Sequence, residues 1–228
     1  GVDVSHNIGE KGTVMIEIQN LTKVFQEQTV LQNINATFDA GLIHGVIGKN
    51  GAGKTVLLRL LCGLMHPSKG QVIVDGKQLG KDVDFAPDAG IIIETPCFLP
   101  YLSGFQNLKE LASIRNIISK EEIAEAMEQV KLDPASRKHV GKYSLGMRQR
   151  LGIAQAIMER PRYLILDEPM NGLDTQGMED VRELLQKQKE TGVTVILASH
   201  SMEDIRILCD TVHRIQDASL IPCTTEFS

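Results

Sequence analysis

"GKNGAGKT", Gly48 to Thr55, is the stretch on which the reading of this chain turns. It satisfies the pattern G-x-x-x-x-G-K-[ST] in full through Gly48, Gly53, Lys54 and Thr55, with Gly51 as a further permissive residue. Glycines let successive backbone N–H groups converge on phosphate oxygens, and a helix that begins at the loop aims its positive end at the same point. Lys49, Asn50 and Ala52 complete the loop. Lys54 has the reach for the β and γ phosphates of a nucleotide, and the Thr55 hydroxyl is an oxygen ligand for Mg²⁺. Upstream, "IHGVIG" is a short β-rich run; downstream, "TVLLRLLC", Thr55 to Cys62, reads as a helix leaving the loop. This is the strand, loop and helix context that the chemistry requires.

Outward from the loop, "MIEIQN" alternates apolar and polar residues and "INATFDA" is a second β-rich run. "QVIVDGKQL" has the Asp-Gly form of a hairpin. From about Pro96 to Met158 apolar residues recur at spacings of three and four, as in "NLKELASIRNI" and "KEEIAEAMEQVKL", which predicts a helical lobe. "YLILD" at 163–167 and "VTVILAS" at 193–199 are continuous apolar strands, with a helix expected between them from about Gly177 to Glu190. Apolar strands flanked by helices indicate a parallel sheet covered on both faces. The expected fold is α/β, a mixed sheet flanked by helices, and the strands on either side of the lobe are expected to share one core.

A chain of 228 residues suffices for one large domain with an inserted lobe. Hydrophobic content of 42% and charged content of 23% are those of a globular protein. A formal net charge of −5 argues against general electrostatic capture of nucleic acid. Cys62, Cys97, Cys209 and Cys223 lie far apart without metal-ligand or redox spacing. No apolar run approaches the roughly 20 residues that span a bilayer, so any membrane role requires other chains. Residues 1–14 show no period and no signal-peptide core; they read as a leader or an appended remnant, with Met15 the expected native start.

"YLILDEP" places Asp167 and Glu168 at a strand end. If the strand stays regular, neighbouring side chains point to opposite faces, so the two carboxylates hold different roles. Asp167 then faces a Mg²⁺ shell and Glu168 an attacking water, an arrangement suited to hydrolysis.

Together with the phosphate loop and the Asp-Glu strand, "YSLGMRQRLGIAQAI" at 143–157, "NGLD" at 171–174 and "ASH" at 198–200 resemble, in this order, the nucleotide-binding subunit of an ABC transporter. The resemblance covers about Ile16 to Ile215. It implies a P-loop NTPase core over 15–94 and 162–228, a helical subdomain over about 95–161, and ATP with Mg²⁺ as cofactors. It also implies a homodimer on ATP binding, separate transmembrane permease subunits, no nucleic-acid partner, and a place at the inner face of the cell membrane. On the matching positions it implies Glu168 as general base, Asp167 and Thr55 at the metal, and His200 at the γ phosphate. Phe25 would stack on adenine, Ser144 and Gly146 would touch the opposite nucleotide, and Asp174 would cross the dimer interface. Independently of the resemblance, Ser144 reads as the N-cap of a helix with apolar Leu151, Ala154 and Ile157 at helical spacing.

The chain departs from the family pattern at two places. Leu145 and Met147 replace a glycine and a glutamine of the usual Leu-Ser-Gly-Gly-Gln signature. Glu94 stands where most members carry a glutamine, and an anionic carboxylate is the stronger Mg²⁺ ligand. "ETPCFLPYLSGFQNL" with "SLGMRQRLGIA" is similar to the ATPases of bacitracin-type and lantibiotic self-protection exporters, in which Glu at this position is associated with immunity transport. The alternative is a non-transport or regulatory ABC ATPase, which the intact Lys54, Asp167, Glu168 and His200 oppose. "SMEDIRILCDTVHRI" reads as an amphipathic helix leading into a strand, and nothing is assigned to the residues after it.

Overall fold

The computed structural model describes residues 14–94 and 97–223. The expected leader, apart from its last residue, Val14, and the expected boundary of the helical lobe at 95 lie outside them.

Two sheets organise the chain. In the smaller, β1 (Val14–Phe25) pairs antiparallel with β2 (Gln28–Asp39) and with β4 (Lys69–Val74), and β5 (Lys77–Gln78) pairs with β4. The β4–β5 turn is the predicted Asp-Gly hairpin: Asp75 and Gly76 have φ of 51° and 76°, the paired positive values a tight primed turn demands.

The larger sheet runs β10-β9-β3-β8-β7-β6. β3 (Ile43–Ile47), β6 (Ala89–Ile92), β7 (Tyr163–Asp167), β8 (Thr194–Ala198) and β9 (Thr211–Gln216) are parallel, and β10 (Ser219–Cys223) adds an antiparallel edge. α1 (Lys54–Cys62) follows β3. α2 (Gly104–Arg115), α3 (Lys120–Gln129) and α4 (Leu145–Ile157) lie between β6 and β7 in chain order. α5 (Thr175–Glu190) links β7 to β8, and α6 (Met202–Leu208) links β8 to β9.

Strands from both sides of the helical region do join one sheet, but that sheet separates two cores rather than enclosing one. In β7, Tyr163 and Ile165 face α1 and the antiparallel sheet; Leu164 and Leu166 face the side of the helices α2–α5. β8 repeats the alternation with Ile196 and Ala198 against Val195 and Leu197. Period-two side chains buried on both faces explain why these strands read as unbroken apolar runs. Each such Leu or Ile contributes about 1.5–3 kcal/mol of burial energy.

Five elements differ from expectation. β1 and β2 extend well beyond "MIEIQN" and "INATFDA", because each is stabilised as a long hairpin arm rather than by local alternation. β6 and β10 had no strong local signal and are supplied by pairing to β7 and β9. α5 begins at Thr175, two residues before the expected Gly177, since the Asp174 carboxylate caps it by accepting from the Gly177 N–H at 2.8 Å.

Candidate functional site

β3, β7 and β8 are parallel neighbours, so their carboxyl ends open at the same edge of the sheet. That brings Gly48, Asp167 and Ser199, distant in sequence, to one crevice, the usual place for ligands in open α/β sheets.

The loop after β3 needs its glycines. Gly51 and Gly53 have φ of 78° and 106°, and a Cβ on Gly53 would lie 2.9 Å from the Val30 side chain on β2. The Lys54 side chain is buried and its ammonium donates to the carbonyls of Gly48 at 2.8 Å and Lys49 at 3.3 Å, bridging the loop it belongs to. α1 is capped by Gly53 with no side-chain acceptor, whereas α2 to α6 begin at a serine or aspartate whose side chain takes a first-turn N–H. The first-turn donors of α1 are therefore available to an anion together with the positive helix end.

A cavity of about 460 Å³ opens over this helix end, lined by Phe25, Gln28, Val30, Asn50, Gly51, Gly53, Lys54, Thr55, Val56, Asp167 and Glu168. The Thr55 hydroxyl donates to Asp167 Oδ2 at 2.5 Å. A hydroxyl and a carboxylate are hard oxygen donors of the kind Mg²⁺ takes, usually with substrate phosphates completing its shell. Among the described residues no cluster of three His, Cys, Asp or Glu side chains offers an all-protein metal cage.

The two carboxylates are set apart by backbone conformation, not by strand alternation. Asp167 is the last residue of β7, but Glu168 has φ of 50°, so the strand does not stay regular through it. The Glu168 N–H donates to the Ala198 carbonyl at 2.9 Å, and its carboxylate meets His200 Nδ1 at 2.8 Å. The sequence placed His200 near the site; it gave no sign that His200 would pair with Glu168.

Glu94 is elsewhere. Expected at the metal, its carboxylate is ion-paired to Arg59 of α1, and it does not line the cavity that Thr55 and Asp167 share. Arg59 carried no motif and was not singled out.

The signature stretch forms the start of α4. Ser144 is the N-cap as expected, its hydroxyl oxygen accepting from the Met147 N–H at 3.1 Å. Leu145 is half exposed and covers Gly172, whose hypothetical Cβ would stand 2.4 Å from Leu145 Cγ. Gly146 also lies against Gly172: a Cβ there would be 3.0 Å from the Gly172 carbonyl oxygen. The loop carrying "NGLD" is thus packed on the first turn of α4. Deeper in the helix, Gln149 donates to the Pro169 carbonyl at 3.0 Å. Arg150 pairs with Asp180 of α5 at 2.9 Å, a hydrogen-bonded guanidinium that holds the Asp180 carboxyl below its usual range.

Comparison with known proteins agrees with this geometry. The family description "ABC transporter" matches residues 31–171. An uncharacterised ABC transporter ATP-binding protein of Bacillus subtilis, YybJ, is 47% identical over 86% of this chain and 90% of its own length. The bacitracin transport ATP-binding protein BcrA of Enterococcus faecalis is 41% identical over 91% of this chain and 68% of its own. The lantibiotic transport ATP-binding protein SrtF of Streptococcus pyogenes is 35% identical over 91% and 89%. Among solved structures, the ATP-binding subunit of an ABC transporter superposes with a TM-score of 0.83 at 26% identity, covering 93% of this chain and 90% of that one. A dimeric ATP-binding cassette in a post-hydrolysis state with ADP and Pi superposes with a TM-score of 0.80, at 21% identity over 90% and 96%.

Proposed function

Because this chain belongs to the ABC transporter family, we propose that it is the ATP-hydrolysing subunit of an exporter whose membrane path is built by separate permease chains, with antimicrobial peptides of the bacitracin or lantibiotic kind as cargo. The observation that carries the catalytic part is the Glu168–His200 pair beside the Thr55–Asp167 pair, at the mouth of a helix whose first turn has no side-chain cap. The cargo assignment is supported by the similarity to the bacitracin transport protein BcrA and the lantibiotic transport protein SrtF and by Glu94.

In this reading the uncapped N–H groups of α1 and the Lys54 ammonium hold the β and γ phosphates of ATP. Thr55 and Asp167 would hold Mg²⁺, which would supply charge neutralisation to the phosphates. Glu168 accepts the proton of the attacking water, and His200, whose Nδ1 meets that carboxylate, orients it and contacts the γ phosphate. Phe25 stacks on the adenine ring. Ser144, Leu145, Gly146 and Met147 at the α4 N-terminus face the nucleotide of a second copy, and Asp174 approaches the same interface. The core of 15–94 and 162–228 and a helical subdomain over about 95–161 then work as one domain, recruited to the inner membrane face by the permease.

MgATP hydrolysis measured across a protein concentration series, beside Glu168→Gln, tests this. Specific activity that rises with concentration and disappears in the variant supports a paired composite site. Absence of turnover at every concentration, and also with the permease in lipid, would overturn it.

A further inference from the structure

Phe25 ends β1 as a 40% exposed ring on the wall of the cavity at the phosphate loop, so its packing is partial. It also has a cation. Lys23 Nζ stands 5.0 Å from the centroid of the Phe25 ring, within the distance at which a cation is attracted to an aromatic face. The same ammonium donates to the His66 carbonyl at 2.8 Å.

His66 lies in the short connection between α1 and β4, the continuation of the helix that starts at the phosphate loop. Two further contacts tie β1 to this connection: the Ser68 N–H donates to the Thr22 carbonyl at 2.8 Å, and the Val24 N–H donates to Ser68 Oγ at 3.0 Å. The three contacts fix the end of β1 to the far end of α1, with Lys23 alone reaching the ring.

We propose that Lys23 is a positioning residue for nucleotide base recognition: its ammonium, anchored on the His66 carbonyl, holds the Phe25 ring as a preset stacking platform at a fixed distance from the phosphate loop. This rests on the reading of Phe25 as the base-stacking residue. The cation on one face leaves the other for the base and draws π-electron density toward itself, which lowers the repulsion that a stacked base meets. Preorganising an exposed ring also removes an ordering cost from binding.

The test is affinity for ADP and for inorganic tripolyphosphate, titrated against the full chain and against Lys23→Met, Lys23→Arg, Phe25→Ala and the Lys23→Met/Phe25→Ala double variant. Lys23→Met is expected to weaken ADP about threefold and to leave tripolyphosphate unchanged, with Lys23→Arg restoring ADP. The double variant is expected to bind ADP no more weakly than Phe25→Ala, because Lys23 acts only through the ring. Equal weakening of ADP and tripolyphosphate by Lys23→Met, or additive losses in the double variant, would overturn the proposal. Phe25→Ala with unaltered ADP affinity would remove the underlying base-stacking reading as well; Phe25→Ala weakened with Lys23→Met unaltered would remove the Lys23 role alone.

Discussion

Glu94 is ion-paired to Arg59, and Arg59 lies four residues, about one helical turn, beyond Thr55 on α1, whose hydroxyl meets Asp167. Glu94 itself has φ of 66°, an uncommon conformation for a residue with a side chain. The acidic substitute for the family glutamine is held against the phosphate-loop helix, and it is not among the residues that line the cavity at Thr55 and Asp167.

Glu94→Gln is therefore expected to leave ADP affinity within about twofold. The pair is two-thirds exposed at Glu94, so its loss should change unfolding free energy by less than about 1 kcal/mol. Under the proposed function the same variant, expressed with its permease, weakens peptide resistance. Chemical denaturation, ADP titration and growth at graded peptide concentrations check the three parts; unchanged resistance would remove Glu94 from coupling.

Glu168→Gln should lower turnover by about 10²-fold or more while ADP binding survives, because the phosphate loop is untouched. His200→Ala should also slow turnover, and the double variant should lose less than the product of the two single losses, since His200 Nδ1 meets the carboxylate it orients; any loss beyond that of Glu168→Gln reads the γ-phosphate contact. Single-turnover hydrolysis at saturating MgATP measures both; strictly multiplicative losses would show that the two residues act independently.

Gly172→Ala should destabilise the fold by about 1–3 kcal/mol, because the new methyl would collide with Leu145 and the backbone there has φ of 76°. Adding Leu145→Ala should recover the steric part and leave the roughly 1 kcal/mol of left-handed strain. Urea denaturation of the parent chain and the two variants reads this directly, and no recovery in the double variant would mean that Leu145 is not the obstacle.

His44 and His213 stack edge-on against Phe38, each with ring centroids 5.2 Å from it. Burial lowers the pKa of both from the ordinary 6.5; Asp39 and Asp210 partly oppose this at His44, while His44 adds to it at His213. Their neutral forms are favoured in the native state, so the unfolded chain binds more protons as pH falls below about 6.5 and stability declines toward the depressed native pKa. The melting temperature should fall between pH 7 and pH 5, and His213→Phe should flatten that slope. His213 is the sharper target because its Nδ1 is buried with no hydrogen-bond partner among the described residues, so the charged ring would strand a donor there. An unaltered slope in His213→Phe would assign the acid response to other groups.

What the sequence determined by itself is the local chemistry. The spacing of Gly48, Gly53, Lys54 and Thr55 dictates a phosphate-binding turn, because glycine freedom and a following helix suffice to make one. Ser144 announces a helix start through its own hydroxyl, and the apolar runs at 163–167 and 194–198 announce strands buried on both faces. All of these depend on residues within a few positions of one another. The tertiary structure alone decided which distant side chains meet: Arg59 with Glu94, Glu168 with His200, Leu145 with Gly172, and Lys23 with the His66 carbonyl. It also decided β6 and β10, which exist because β7 and β9 offer them hydrogen-bond partners. The parallel order of β3, β8 and β7 lines their ends along one edge. No periodicity in a single chain records that order, because it is set by crossovers through α5, α6 and the helices α2 to α4.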